Sequence, residues 1–574
     1  MLRSRRESDS TRDRLAEFSS VEAVAVFLIS LLVAAIVFAY LSDRLGFTIA
    51  PMPILVIGLS AAMAYSLGVR SRLSAPTAIG AENRALTTTV FIVLVLATFG
   101  WLLWMARPYF LPLGGESDLT HHLQLVDYIE QRWRLPHDLA AFTQIGNMSN
   151  YTPGSHLLAA LAGAWTRTDG LHMMHPLLAL TVALKAGLIF LIVIRLLPVD
   201  VPRLPIAVTS VLLLLLPYDY VIGSFARYSF YAQVIAELFA VAMWWALTIW
   251  DARPSPAAAL LFGVTGMATF LSWPVWIGPP ALALTALMLL RTDVRLSARL
   301  RDVALALGPI AIVGLLHALG RIGAFGIAGT GGAVFKPTLA RLGAAFLVLS
   351  LTGLVLALRS ARYRTTTLLL AAIGLQTVCL IVVARASHAD SPYLAIKMIH
   401  LALYPLAACA ALTLASVWQA LWRIERIHAM PWIARRQTLV AWAMVAIVGV
   451  TLTRGLAAHR LPPPTITQDL FLAGRWARAH VPVNCVEYFV PNDSTAYWLQ
   501  YSVLGNAMIQ PGVPLPVLVF RDNVERWIAR TAHPFAIADL AVLPRDVRDE
   551  IEVLAKFGEI VVGKRRGATG CTGD

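Results

Sequence analysis

The chain concentrates acid and histidine side chains in one short stretch, Gly114-Gly115-Glu116-Ser117-Asp118-Leu119-Thr120-His121-His122. Asp118 stands three and four positions before His121 and His122, a spacing that puts side chains on one face of a helix, and Ser117 or Asp118 can cap that helix. An acid and a histidine held together suit proton abstraction from a hydroxyl, contact with a phosphate, or ligation of a divalent metal ion by Asp118 and His122. Glu116 is the neighbouring acid. The same residues also read as an ordinary helix cap followed by polar side chains. Further along come Asn150-Tyr151-Thr152-Pro153-Gly154-Ser155-His156, then Arg227 among the aromatics of Phe225-Ala226-Arg227-Tyr228-Ser229-Phe230, then Arg385, His388, Lys397 and His400. Arginine grips a phosphate through two parallel hydrogen bonds, and lysine offers it a point charge. Long cations and aromatic rings also gather at membrane surfaces without binding anything.

The elements that must position these residues are membrane helices. Hydrophobic residues make up 58% and charged residues 14% of 574, with a mean hydropathy of +0.68. A soluble chain of this size needs more charge to cover its surface. The apolar residues come in long unbroken blocks, which only lipid rewards. Thirteen such segments are read as spans: 22–42, 49–69, 87–106, 174–197, 203–220, 229–250, 256–273, 276–291, 302–320, 340–358, 365–385, 396–416 and 437–456. The formal net charge of +14 does not point to nucleic acid, because the arginines sit in short clusters between apolar blocks. The basic start, Arg3 to Arg14, followed by a long apolar run, reads as a signal anchor.

Those clusters set the orientation. With the N-terminus inside, the inner segments hold Arg70, Arg72, Arg84, Arg253, Arg291 to Arg301, Arg359 to Arg364 and Arg423 to Arg436. They then carry about twice the basic residues of the outer loops, as the positive-inside rule requires. The chain divides into a cytoplasmic tail, 1–21, a membrane domain, 22–456, with a large outer loop at 107–173, and a soluble extracytoplasmic domain, 457–574. Within that loop, 154–166 is apolar but too short to span and reads as a helix at the outer interface. The soluble domain reads as alternating helices and strands: helix 467–480, strand 485–490, a helix capped at Asp493 or Ser494, helix 521–531, strand 535–543, helix 546–557 and strand 559–565. This is a small α/β layer.

Several other residues carry an expectation. Lys185 and Glu237 lie at similar depth within their spans, and an ion pair between them is expected. Of four cysteines, Cys379 and Cys409 read as core residues, while Cys485 and Cys571 share the outer domain, where a disulfide forms readily. The glycine-rich stretch 323–332 lacks the Gly-Lys-Ser/Thr ending of a phosphate loop and reads as a flexible loop.

The arrangement over roughly residues 87 to 456 resembles the GT-C glycosyltransferases, multi-helix enzymes that use lipid-phosphate-linked sugars outside the cytoplasmic membrane. In that superfamily the first large outer loop bears an acidic residue soon after a membrane helix and then runs along the surface as juxtamembrane helices. Asp118 matches that acid, with Glu116 as the neighbouring option. Tyr151-Thr152-Pro153-Gly154-Ser155-His156 looks like the segment leading into the second juxtamembrane helix. One departure is that the loop follows the third helix here, not the first. The resemblance implies transfer of a sugar from a polyprenyl-phosphate donor to a glycan, lipid or protein acceptor at the outer face of the inner membrane. Asp118 or Glu116 would serve in catalysis. His121, His122, His156, Arg227, Arg385, His388 and Lys397 would bind substrate, and a divalent metal ion is an open question. Two other readings remain, a transporter or flippase for an envelope lipid or glycan and a non-enzymatic assembly protein.

Overall fold

The computed structural model describes residues 20–73, 81–113, 118–137, 145–228, 230–319, 334–389, 391–423, 437–457, 464, 466–482, 485–490, 495–499, 520–530, 533–568 and 571. Eight of its helices are long and apolar enough to cross a membrane: Val21–Arg44, Pro51–Val69, Ala85–Met105, Gly170–Leu196, Tyr231–Ala252, Leu296–Ala318, Ala361–Ala386 and Tyr393–Trp422. Five shorter apolar helices accompany them, Arg203–Leu213, Pro256–Ser272, Pro274–Leu290, Ala344–Leu358 and Leu439–Leu452. Each segment expected to span overlaps one of these thirteen, but five of them are shorter than a crossing requires. The chain is therefore an all-α polytopic membrane bundle carrying a small C-terminal domain that contains a sheet.

The helices that matter below are α1 (Ser20–Arg44), α2 (Pro51–Leu73), α3 (Ala81–Met105), α4 (Asp118–Arg132), α5 (Gly154–Thr166), α6 (Gly170–Leu196), α7 (Arg203–Leu213), α8 (Tyr231–Ala252), α9 (Pro256–Ser272), α10 (Gly278–Leu290), α11 (Leu296–Ala318), α12 (Ala344–Leu358), α13 (Arg364–Ala386) and α14 (Tyr393–Trp422). Helices α6, α8 and α14 form the buried centre, and α8 is covered along almost its whole length. Helices α2, α3, α11 and α13 expose Val56, Ile57, Val93, Leu96, Ile312, Leu315, Val378 and Val382. An apolar side chain gains nothing by facing water, so these outer faces are built for lipid. Glycine sets the closest approach. A Cβ on Gly353 of α12 would run into the Cys409 carbonyl of α14, which makes that crossing a small-residue contact of the kind membrane helices favour.

The charged side chains Lys185, Glu237, Arg195 and Glu22 inside the bundle are paired. Lys185 Nζ donates to Glu237 Oε2 at 2.6 Å and to the Tyr404 hydroxyl at 2.8 Å, and that hydroxyl donates to Glu237 Oε2 at 2.8 Å. The expected ion pair thus forms, with a tyrosine closing a triangle across α6, α8 and α14. Arg195 Nη2 donates to Glu22 Oε2 at 2.7 Å and ties α6 to α1.

Four local expectations change. Segment 203–220 is not one helix: α7 ends at Leu213, turns follow, and short helices Tyr218–Val221 and Gly223–Ala226 carry the chain into α8. Pro217 lies in this break, where it cannot continue the helix. Segment 276–291 begins as a 3-10 turn, Pro274–Ile277, before α10, because Pro279 and Pro280 belong in a helix's first turn. Cys409 is buried as expected, but Cys379 faces outward on α13. Helix 5, at 154–166, has the expected length, yet residues 154–163 are all buried, packed among α1, α4, α6, α8 and α9, so its apolarity is matched by protein.

The C-terminal domain opens with α15 (Gln468–His480) and contains a four-stranded sheet of order β1-β2-β4-β3, with β1 (Val486–Phe489), β2 (Phe535–Asp539), β3 (Ile551–Phe557) and β4 (Ile560–Arg565). Strands β1 and β2 run parallel, and β2–β4 and β3–β4 are antiparallel. Helix α16 (Phe520–Ile528) packs on β1. The helix expected over 546–557 is a short turn of helix, Arg545–Asp549, followed by β3. A bulge between Val553 and Ala555 breaks the strand's alternation and gave it a helix-like apolar spacing. Gly558, at φ +58°, makes the two-residue turn that folds β3 onto β4. Cys485 and Cys571 form a disulfide with Cα atoms 6.1 Å apart, which staples the chain end to the start of β1.

Candidate functional site

Helix α4 begins at Asp118, and its apolar stripe of Leu125, Val126 and Ile129 turns towards α5 and α6. Gly170 permits this approach, since a Cβ there would strike Val126. His122 lies on the same stripe and is buried with it. Its Nδ1 is 2.8 Å from His156 Nε2, and the two rings stack at 5.0 Å between centroids. His156 is the third residue of α5, and its Nδ1 lies 3.3 Å from Ser155 Oγ. Complete burial, with His122 beside it, holds the His156 imidazole well below the ordinary histidine range. One imidazole N–H donates to the other ring's nitrogen across the 2.8 Å contact.

Aromatic side chains enclose the pair. Tyr151 meets both imidazoles edge-on at 5.5 Å, and Tyr231 at the head of α8 meets them at 6.0 and 6.1 Å. The Tyr231 hydroxyl donates to the Ser155 carbonyl at 3.0 Å, and Thr152 Oγ1 donates to the Ser272 carbonyl at 3.0 Å. Trp273, where the chain breaks after α9, lies 6.0 Å from Tyr151 on one side and 5.1 Å from Lys397 Nζ on the other. Lys397 is buried near the start of α14, its ammonium 3.7 Å from the Phe230 ring and 4.3 Å from Tyr393. Three ring faces around one ammonium hold its charge by cation–π attraction.

The structure thus brings His122, His156 and Lys397 to one aromatic enclosure. His121, one position and about 100° further round α4, turns instead to the soluble domain and lies 3.4 Å from the Tyr497 hydroxyl. Arg227 is exposed and lies over Phe335 at 5.2 Å. Arg385, in the last turn of α13, and His388, just beyond it, are exposed and share no described contact with the histidine pair. Glu116 and the side chain of Asp118 lie outside the described residues, though the backbone of Asp118 opens α4. The next residue, Leu119, lines a small apolar cavity with Met174, Leu178, Phe225 and Tyr231. Among the described residues no three His, Cys, Asp or Glu side chains gather as ligands, and the 2.8 Å contact with His156 occupies His122 Nδ1.

The C-terminal domain grips α4 from behind. Arg475 and Arg478 of α15 each donate to Asp127 at 2.8 Å, and His172 Nε2 lies 2.9 Å from Gln468 Oε1. Glu130, one turn along α4, accepts from the Gly170 N–H at 2.6 Å. Burial, reinforced by Asp169 and Asp127, pushes its carboxyl from 4.5 up to about 7. The unfolded state therefore gives up this proton first, so stability falls as pH rises from about 4.5 to about 7. At most about 3 kcal/mol is involved. Glu130→Gln keeps an acceptor for Gly170 and should flatten the pH dependence of the thermal midpoint between about pH 5 and pH 8. An unchanged slope would show that another group is responsible.

None of the residues enclosing Lys397, nor the Asp127 clamp, carried a local signal. Phe230, Trp273 and Tyr393 belong to three separate segments, and aromatic clusters at span ends are commonly membrane-belt residues.

No family model matches the chain, and no curated protein does. Among solved structures, ArnT from Cupriavidus metallidurans bound to undecaprenyl phosphate superposes with a TM-score of 0.49 at 14% identity, covering 84% of this chain and 99% of that one. The apo oligosaccharyltransferase of Archaeoglobus fulgidus superposes with a TM-score of 0.43 at 13% identity, over 79% of this chain and 69% of that one. The mycobacterial arabinofuranosyltransferase AftD superposes with a TM-score of 0.49 at 16% identity, over 85% of this chain and 42% of that one.

Proposed function

We propose that the chain is a membrane glycosyltransferase of the GT-C type, transferring a sugar from a polyprenyl-phosphate donor to an envelope acceptor at the outer face of the inner membrane. The observation that carries this reading is the enclosure in which a buried histidine pair from the 107–173 loop and the Lys397 ammonium share Trp273 and Tyr151. An acceptor hydroxyl attacks the anomeric carbon, the bond from that carbon to the phosphate oxygen breaks, and polyprenyl phosphate leaves. Asp118 takes the hydroxyl proton, with Glu116 beside it. Lys397 meets the charge growing on the departing phosphate, and the rings of His122 and His156 hold substrate hydroxyls or phosphate oxygens by hydrogen bonds.

The outer-face assignment rests on two supports. The arginine-rich segments belong inside. The disulfide-bonded domain, which docks on α4, suits an oxidising compartment. Arg385, His388 and Arg227 stand outside the enclosure and would guide a substrate towards it.

The test is transfer by the purified full chain, in liposomes, from a panel of polyprenyl-phosphate sugars. Lys397→Gln should raise the donor KM by about tenfold or more, the scale of one charge-assisted contact. Unchanged donor kinetics in this variant would remove Lys397 from the site. Movement of intact labelled lipid across the bilayer without cleavage of the sugar–phosphate bond would replace the reading with a transporter.

A further inference from the structure

Lys397 is not the last cation on its aromatic row. Phe230, which its ammonium touches, stacks on Tyr228 at 5.1 Å with the planes 9° apart. Tyr228 meets Phe335 edge-on at 4.9 Å. On Phe335 stand two guanidinium groups, Arg341 with Cζ 3.4 Å from the ring centroid and Arg227 at 5.2 Å. The row thus has a cation at one end and a pair of cations at the other. They are supplied by α14, the turn into α8, the segment before residue 339 and the short helix Leu339–Leu342. Arg341 is invisible to a hydropathy reading, which counts it inside an apolar span, and Thr338 caps its short helix.

Two guanidinium groups on one ring repel each other unless an anion lies between them. The carboxylate at hand is Asp219, 3.5 Å from Arg341 Nη1 in ion-pair contact, but that buried nitrogen has no hydrogen-bond partner. Among the described residues no carboxylate pairs with Arg227, which is exposed. A guanidinium placed over an aromatic ring can still turn edge N–H groups to the oxygens of a phosphate or carboxylate. Leu339, beside the pair, is 63% exposed, so the subsite opens next to an apolar surface.

We propose that Arg227 and Arg341 form a second anion subsite, which holds the phosphate or carboxylate of an anionic, lipid-borne acceptor while Lys397 holds the donor's phosphate. This rests on the glycosyltransferase reading and names its acceptor class. The buried Tyr228 and Phe230 rings join the two poles. The donor and acceptor anions then approach the enclosure from opposite ends.

The experiment is a binding titration of the full chain in neutral detergent, read by thermal stabilisation. The ligands are dioctanoyl phosphatidic acid, dioctanoyl phosphatidylcholine, inorganic phosphate and decaprenyl phosphate. Arg227→Gln, an exposed change that should not disturb folding, and Arg227→Gln/Arg341→Gln should weaken phosphatidic acid binding about tenfold and more. Decaprenyl phosphate binding should stay within about twofold in both variants and weaken in Lys397→Gln. A parallel loss of both lipids in Arg227→Gln would assign both poles to the donor and overturn the acceptor subsite. Unchanged phosphatidic acid binding would reduce the arginines to packing. Inorganic phosphate or phosphatidylcholine binding as tightly as phosphatidic acid would overturn the lipid-borne anion. If decaprenyl phosphate does not bind the wild-type chain, the glycosyltransferase reading fails, while the phosphatidic acid series still decides the arginine subsite.

Discussion

Asp118→Asn should lower sugar transfer by about 10²- to 10⁴-fold, the usual loss when a general base is removed. Asparagine caps helices about as well as aspartate, so α4 should still start at this position and the chain should still insert. The expected signature is therefore a fall in kcat with donor KM little changed, because the proposed site assigns donor binding to Lys397 and the histidine pair and not to the acid. Glu116→Gln is the companion measurement and should cost far less. Equal losses in the two variants would mean that the acids act as a pair, and full activity in Asp118→Asn would leave that residue as a helix start alone. The structure adds a constraint. Helix α4 is fixed on one side by His122 against His156 and on the other by Asp127 between Arg475 and Arg478. Its first residue consequently has little room to shift when the side chain changes.

Lys185→Met should destabilise the bundle by about 3–5 kcal/mol, measured as heat- or denaturant-induced unfolding in detergent. The substitution leaves Glu237 without its cation and completely enclosed between α6, α8 and α14, with Tyr404 and Gln233 as its hydrogen-bond donors. The triple variant Lys185→Met/Glu237→Leu/Tyr404→Phe removes every member of the triangle and should regain most of the loss, because apolar groups of similar volume often replace a buried ion pair without penalty. If the single variant were as stable as the wild type, the pair would not be a structural lock, and a role for its charges in transport or transfer would become the better account.

Much of the membrane architecture was readable in advance because lipid is a demanding solvent. A span must be apolar over its full length, so eight of the expected segments are helices long enough to cross and the other five overlap shorter apolar helices. Depth within a span is fixed by position along it, which is why Lys185 and Glu237 could be matched before their contact was known. Cys485 and Cys571 could be paired because they share one small domain. The errors arose where two periodicities compete. Residues 551–557 contain helix-forming Glu, Leu, Ala and Lys, and only pairing with β4 makes them a strand.

What the chain determined locally was which residues could do chemistry; tertiary packing decided which of them meet. His121 and His122 are equivalent in a linear reading, yet the rotation of α4 sends His122 to His156 and His121 to Tyr497. Arg385 and Lys397 looked alike as phosphate cations, but the arginine is exposed while the lysine sits among Phe230, Trp273 and Tyr393. Hydropathy and cap signals report only the solvent a segment faces and its own hydrogen bonds. Contacts such as Asp127 with Arg478, separated by 351 residues, depend on how helices rotate and dock, which no short stretch of sequence encodes.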